Sequence, residues 1–256
     1  YHNRKELRSK SILPNQIAYT IIKLTNQQQE LIFMSFVIAV HVKEGIVLAS
    51  DSRVTYSHTS KSGNQTTVKI GIHTTDTTNK IFLCPNNIGL MTCGEAAICS
   101  APITGYIEAF IREKMTDSTD ITKVPQMLID YFNSTQEVPN TNFFVAGYRT
   151  VNHTSTQCLY VVNVKDKTVT IADTTAQGAR WDGETQTLTK IIQNTYMKDP
   201  NGKEIPLGKT AFSWNLFTLQ DAVDFAKYAV DITIKTIILY KCDKLKKLSS
   251  RWWNFV

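Results

Sequence analysis

The stretch Ser35-Phe-Val-Ile-Ala-Val-His-Val-Lys-Glu-Gly45-Ile-Val-Leu-Ala-Ser-Asp51-Ser-Arg-Val-Thr55 decides the reading of this chain. Ser35–Val42 and Gly45–Ser50 are short apolar runs rich in Val and Ile, each bounded by polar residues, as strands are. Only Lys43-Glu44 separates them, which predicts a tight hairpin. Asp51-Ser52-Arg53 follows at the strand end, where polar side chains are presented rather than buried.

Working outward, 56–79 is rich in Thr, Ser, Gly and His and predicts an extended hairpin or loop. Lys80–Cys84 and Ile88–Cys93 read as strands around a Pro85-Asn86-Asn87 turn. Gly94 is expected to open a helix running to about Met115. Val124–Phe132 predicts a second helix with Pro125 in its first turn. Thr141–Arg149, Cys158–Val164 and Thr168–Ala172 read as strands, with a turn at Asp166-Lys167. Glu184–Tyr196 and Thr218–Leu239 are expected helices, the last opened by a capping box of Thr218 and Asp221. Strands, two helices, strands, two helices is not the alternation of a parallel doubly wound sheet. It suits two antiparallel sheets stacked face to face with helix pairs outside, an α+β class.

The 256 residues carry 28 Lys+Arg against 22 Asp+Glu, a formal charge of +6. Residues 1–34 hold five basic and two acidic side chains, 241–256 hold five and one, and 35–240 hold 18 against 19. The excess is terminal, so it gives no basic groove for nucleic acid. No apolar run approaches the roughly 20 residues of a membrane helix, and no signal peptide is legible. The expectation is a cytoplasmic chain with neither nucleic-acid nor membrane partner. Cys84, Cys93, Cys99, Cys158 and Cys242 are odd in number and form no C-x-x-C pair, against a disulfide framework or zinc site. No metal or cofactor is implied.

G-x-S-x-G, a Gly-rich phosphate loop and H-E-x-x-H are missing from the sequence. His2, His41, His58, His73 and His153 are scattered, and only His41 lies in a well-defined element, where a structural role is the ordinary one. Ser35, Asp51, Lys80 and Gly94 remain, all on the first strands. Met34 stands directly before Ser35, and its removal would make the Ser35 α-amine a base. An α-amine has a pKa of about 7.7–8.0, so it can take the hydroxyl proton near neutral pH. Lys80 can lower the pKa of that hydroxyl, Asp51 can pair with Lys80, and the Gly94 N–H, expected at a helix N-terminus, can face an oxyanion.

These residues resemble the opening of a proteasome β-type subunit and its bacterial 20S relatives. That family has a nucleophilic Thr, an apolar strand, a Lys/Glu-Asp-Gly turn and then V-V-L-A-A-D-S-R-x-T. Counting back without gaps places its nucleophile at Ser35. Its catalytic Lys begins a K-I-F strand, matched by Lys80-Ile-Phe, and its oxyanion Gly lies fourteen places on in G-x-A-A-D, matched by Gly94-Glu-Ala-Ala-Ile. Its Ser-Gly pair beside the nucleophile finds its best match at Gln177-Gly178-Ala179.

The resemblance covers about 35–240. It implies the four-layer αββα sandwich of N-terminal-nucleophile (Ntn) hydrolases and threonine-peptidase-like cleavage of peptide or amide bonds, through an acyl-enzyme on Ser35. The catalytic set is then Ser35, Asp51, Lys80 and Gly94, and Val54, Thr92 and Ala96 stand at the substrate-pocket positions. Implied partners are a peptide or unfolded-protein substrate and further copies in a ring or dimer. The alternative is a catalytically silent assembly subunit of the same fold. Residues 1–34 are read as an upstream or pro-segment. Residues 241–256 are read as a basic tail outside the family pattern and a candidate frameshift product, because Trp252-Trp253 becomes Gly-Gly one base later.

Overall fold

The computed structural model describes residues 35–62, 65–75, 77–192, 196–206 and 212–252. The upstream segment 1–34, Met34 included, and residues 253–256 lie outside the described residues. The described residues fall into two units, one within 55–74 and one of 35–54 with 75–252.

In chain order the strands and helices begin with β1 (Phe36–Val42), β2 (Gly45–Ser50), β3 (Val54–Ser62), β4 (Gln65–Thr75), β5 (Ile81–Cys84) and β6 (Ile88–Gly94). The short strands β7 (Ala97–Ile98) and β8 (Ala101–Pro102) precede helices α1 (Ile103–Lys114) and α2 (Val124–Asn133). Next come β9 (Thr141–Val151), β10 (Thr154–Asn163), β11 (Thr168–Ile171) and β12 (Gly178–Gly183). The chain ends with α3 (Gln186–Ile192), β13 (Tyr196–Lys198), β14 (Glu204–Pro206) and α4 (Leu219–Trp252). The fold is mixed α+β with several antiparallel sheets.

In the smaller unit, β3 and β4 form their own two-stranded ladder, the extended hairpin expected over 56–79. In the larger unit, one sheet has the order β12-β1-β2 and another the order β11-β10-β9-β6-β5. Neighbours in both sheets run antiparallel.

Strand β1 is buried along its whole length. Its side chains alternate because successive residues of a strand point to opposite faces. Phe36, Ile38, Val40 and Val42 pack with Leu188 of α3 and Ala222, Phe225, Ala226 and Ala229 of α4. Val37 and Ala39 pack with Met91 and Cys93 of β6, Phe144 and Ala146 of β9 and Leu159 of β10. The five-stranded sheet is two-faced in the same way. Leu90, Phe143 and Val145, one residue out of phase, pack with Ile107 and Phe110 of α1 and Leu128 and Phe132 of α2. Removing one methyl from this last cluster with Ile107→Val should cost about 0.5–1.5 kcal/mol, read as a lower urea midpoint with unchanged slope.

Several boundaries differ from the sequence reading; β10, for one, begins at Thr154 rather than Cys158. The helix expected from Gly94 begins only at Ile103. Gly94 ends β6 with φ of 133°, and an added Cβ would lie 2.5 Å from the Asn140 carbonyl oxygen. Its conformation and its close approach to β9 both require glycine. A two-strand turn through Cys99 (φ 48°) and Ser100 (φ 67°) then separates it from α1.

The segment Gly178–Gly183, unrecognised as a strand, is β12 and pairs with β1. Of the helix expected over Glu184–Tyr196, Gln186–Ile192 is helical; Glu184 still belongs to the ladder, its N–H donating to the Ser35 carbonyl (2.8 Å), and Tyr196 opens β13. The helix expected to end at Leu239 runs on to Trp252, through the segment read as a tail. No Gly or Pro interrupts 219–252, and its Lys and Leu residues favour helix. The capping box forms as expected, with Thr218 N–H donating to Asp221 Oδ2 (2.9 Å) and Asp221 N–H to Thr218 Oγ1 (3.2 Å).

Candidate active site

Ser35 is the first described residue, half-buried and immediately before β1. The chain reaches Asp51 after one hairpin, and the ladder brings it back beside the start. Asp51 N–H donates to the Phe36 carbonyl (3.1 Å), and Phe36 N–H donates to Asp51 Oδ1 (2.7 Å). Arg53 N–H donates to Asp51 Oδ2 (3.0 Å). Both carboxylate oxygens are therefore fixed by main-chain donors before any side chain is counted.

Lys80 precedes β5, and its carbonyl accepts the Thr92 N–H of β6 (2.9 Å). Its Nζ donates to Asp51 Oδ1 (2.8 Å) and to Ser35 Oγ (3.0 Å). Lys80 and Asp51 are each only 4% exposed. A lysine is seldom so buried without a counter-charge, and here it has one. The arrangement sets a positive charge directly against a hydroxyl oxygen, which favours the alkoxide over the alcohol.

Gly94 lies at the end of β6 opposite Thr141, not at a helix N-terminus. Glu95 locks this corner. Its N–H donates to the Asn140 carbonyl (3.1 Å), its carboxylate accepts the Asn140 N–H (2.7 Å), and its carbonyl accepts Thr141 Oγ1 (3.0 Å). The preceding residue, Cys93, lies next to the serine strand pair, since a Cβ added to Gly183 would sit 3.0 Å from its Sγ. Burial, then the Asp182 carboxylate, pushes the Cys93 thiol up to about 12, so it stays protonated at neutral pH.

The positions expected to line a pocket are placed as follows. Val54 is buried at the start of β3, Thr92 is buried opposite Phe143, and Ala96 is half-buried, its carbonyl accepting the Ile103 N–H (2.9 Å). An open groove of about 540 Å³ runs along α1, lined by Ala101, Gly105, Tyr106, Ala109 and Tyr131 among others, and contains none of the seven site positions.

The sequence reading missed the strand that flanks Ser35. Gly178, proposed as half of the supporting pair, stands opposite His41 at the far end of β1. The residues beside Ser35 are Asp182 and Gly183, opposite Val37 and Phe36. Asp182 Oδ2 accepts a hydrogen bond from Asn142 Nδ2 (2.5 Å), and Asn142 Oδ1 accepts from Asn163 Nδ2 (2.8 Å). An antiparallel register of 178–183 against β1 is the signal that would have found them.

His41, the one histidine in a predicted strand, is buried beyond this site. Burial, then the Arg180 cation, holds its imidazole below the usual range.

No protein-family model matches the chain, and no curated protein matches it. Among solved structures, the chain is similar to eukaryotic HslV from Trypanosoma brucei, at 11% identity and a TM-score of 0.41, over 77% of this chain and 89% of that one. Among the described residues no group of His, Cys, Asp and Glu could hold a metal ion. No described helix is long and apolar enough to cross a membrane.

Proposed function

We propose that this chain is a proteasome-type Ntn hydrolase that cleaves peptide or amide bonds through an acyl-enzyme on Ser35. The observation that carries the proposal is the buried Lys80, whose ammonium is shared between Asp51 Oδ1 at 2.8 Å and Ser35 Oγ at 3.0 Å. Beyond its counter-charge, the ammonium is thus set against the hydroxyl that the reaction activates.

The chemistry begins once Ser35 is N-terminal. Its α-amine takes the Oγ proton as Oγ bonds to the substrate carbonyl carbon, with Lys80 stabilising the developing charge on Oγ. The carbonyl oxygen becomes an oxyanion, for which the Gly94 N–H is the proposed donor. The α-ammonium returns the proton to the departing amine as the carbon–nitrogen bond breaks. Water, deprotonated by the same amine, then hydrolyses the ester. Nothing in these steps calls for a metal or cofactor.

The three packed clusters, with β1 buried on both faces, support an αββα sandwich as the frame for this site. The hydrolase domain is proposed as 35–240, preceded by an upstream or pro-segment, with 241–256 a continuation outside the family pattern. Val54, Thr92 and Ala96 are proposed to shape the pocket, and copies of the chain to assemble into a ring or dimer.

The test is intact mass followed by a β-lactone probe on the full protein. The expected result is a species beginning at Ser35 that takes up one label. Ser35→Ala should abolish labelling while leaving the circular-dichroism spectrum unchanged. A chain that always retains residues before Ser35, or labelling that survives Ser35→Ala, would overturn the proposal.

A further inference from the structure

A cut before Ser35 creates a charge that the hydroxyl machinery does not answer. The new α-ammonium is a second cation, formed one residue from a lysine already bonded to the same serine. Asp51 is spoken for. One of its oxygens serves Lys80 and Phe36 and the other serves Arg53. Charge balance calls for another carboxylate on the Ser35 face of the strand.

The register supplies two, and one of them is anchored toward the site. Val37 stands opposite Asp182, and the Glu184 N–H holds the Ser35 carbonyl, so Ser35, Val37, Asp182 and Glu184 share one face of the β1–β12 pair. That face looks toward β6 and β9, as the packing of Val37 with Met91, Cys93 and Phe144 shows. Asp182 is aimed the same way, because its Oδ2 accepts from Asn142 of β9. Among the described residues, its Oδ1 accepts the adjacent Gly183 N–H (2.7 Å). Asp182 is half-buried, and the amide of Asn163 holds Asn142 in turn. The thiol between them senses all three charges, Asp182 and Asp51 raising its pKa and Lys80 lowering it.

We infer that Asp182 is a positioning residue that pairs with the α-amine of a processed Ser35 and sets its proton affinity, with Asn142 holding the carboxylate in place. The inference rests on the Ntn reading above. Asp182 takes no proton itself; the Oγ proton still passes to the amine. The charged and titratable groups around that amine are Lys80 and Asp51 at the strand ends, Arg53 beyond them, Cys93 of β6, Asp182 of β12 and Glu184 after it. Asp182 and Glu184 are the two carboxylates on the shared face, and Asp182 is the one anchored toward β9, by the neutral amide of Asn142.

The sign follows from electrostatics. A nearby anion favours the ammonium and raises the amine pKa, so removing it lowers that pKa. The measurement is the rate of Ser35 labelling by a β-lactone against pH, on the full protein as processed in the cell. Asp182→Asn keeps an oxygen for Asn142 and should move the acid limb about one pH unit lower. Asp182→Glu should return it toward the wild-type position. If Asp182→Asn is lost to misfolding, Asn142→Leu, which frees the carboxylate, should move the limb in the same direction by less. A limb that stays at the wild-type pH in every folded variant overturns the role of Asp182 while leaving Ser35 as nucleophile. Absence of any Ser35 label in the wild type overturns the Ntn reading and this inference together.

Discussion

Lys80→Met should lower the unfolding free energy by about 3–5 kcal/mol, because it strands a carboxylate in the core. Two effects compete. The Phe36 and Arg53 N–H donors remain and still hold Asp51. Against that, Asp51 is only 4% exposed and loses the Lys80 ammonium. Neutral donors do not replace a full charge in a dry site, so the loss dominates. Exposed pairs such as Lys235–Asp231, by contrast, are worth roughly 0–1 kcal/mol.

The control is the double variant Lys80→Met with Asp51→Asn. It leaves no stranded charge and keeps an acceptor for Phe36, so it should be more stable than the single variant. Urea denaturation of the three proteins gives the comparison. A loss under about 1 kcal/mol for Lys80→Met would place the pair among exposed bridges and contradict its burial. Both variants should lose labelling at Ser35, since the hydroxyl no longer faces an ammonium.

Gly183→Ala is the second large effect. Gly183 has φ of 88°, and a Cβ there would lie 1.8 Å from the Ser35 carbonyl oxygen and 2.7 Å from its carbonyl carbon. Both are main-chain atoms, so no side chain can swing aside. The left-handed backbone costs about 1–2 kcal/mol for an L residue, and overpacking adds about 1–3 kcal/mol. The only relief is to move Ser35, and a shift near 1 Å can cost about a hundredfold in rate. We therefore expect Gly183→Ala to lose about 2–5 kcal/mol by the sum of those two costs. Labelling should fall by a similar hundredfold.

Gly105→Ala is the matched control. A Cβ there meets nothing within 4 Å, and the residue is in α1. It should gain about 1 kcal/mol from helix propensity. Equal stabilities for the two glycine variants would refute the close approach at Ser35.

Much of this was legible in local sequence. The β1–β2 hairpin, the 3-10 turn at Pro85–Asn87, α2 and the start of α4 announce themselves through apolar period, turn residues and a capping box. The spacing of Ser35, Asp51 and Lys80 was legible too, and the structure places all three within hydrogen-bond reach. What stayed hidden depends on partners distant in sequence. Gly-Ala-Arg-Trp-Asp-Gly has little strand propensity, and it is a strand only because β1 offers it a ladder. Gly94 looked like a helix start, because its local sequence does not reveal that Asn140 and Thr141 crowd it from the far side.

The described ties on Ser35 reach residues far along the chain. Its carbonyl is held by Glu184, its hydroxyl by Lys80, and its successor Phe36 by Asp51 and Gly183. Severing the peptide bond before Ser35 would remove none of them. The hold on the serine's carbonyl, hydroxyl and successor therefore survives the release of its amine.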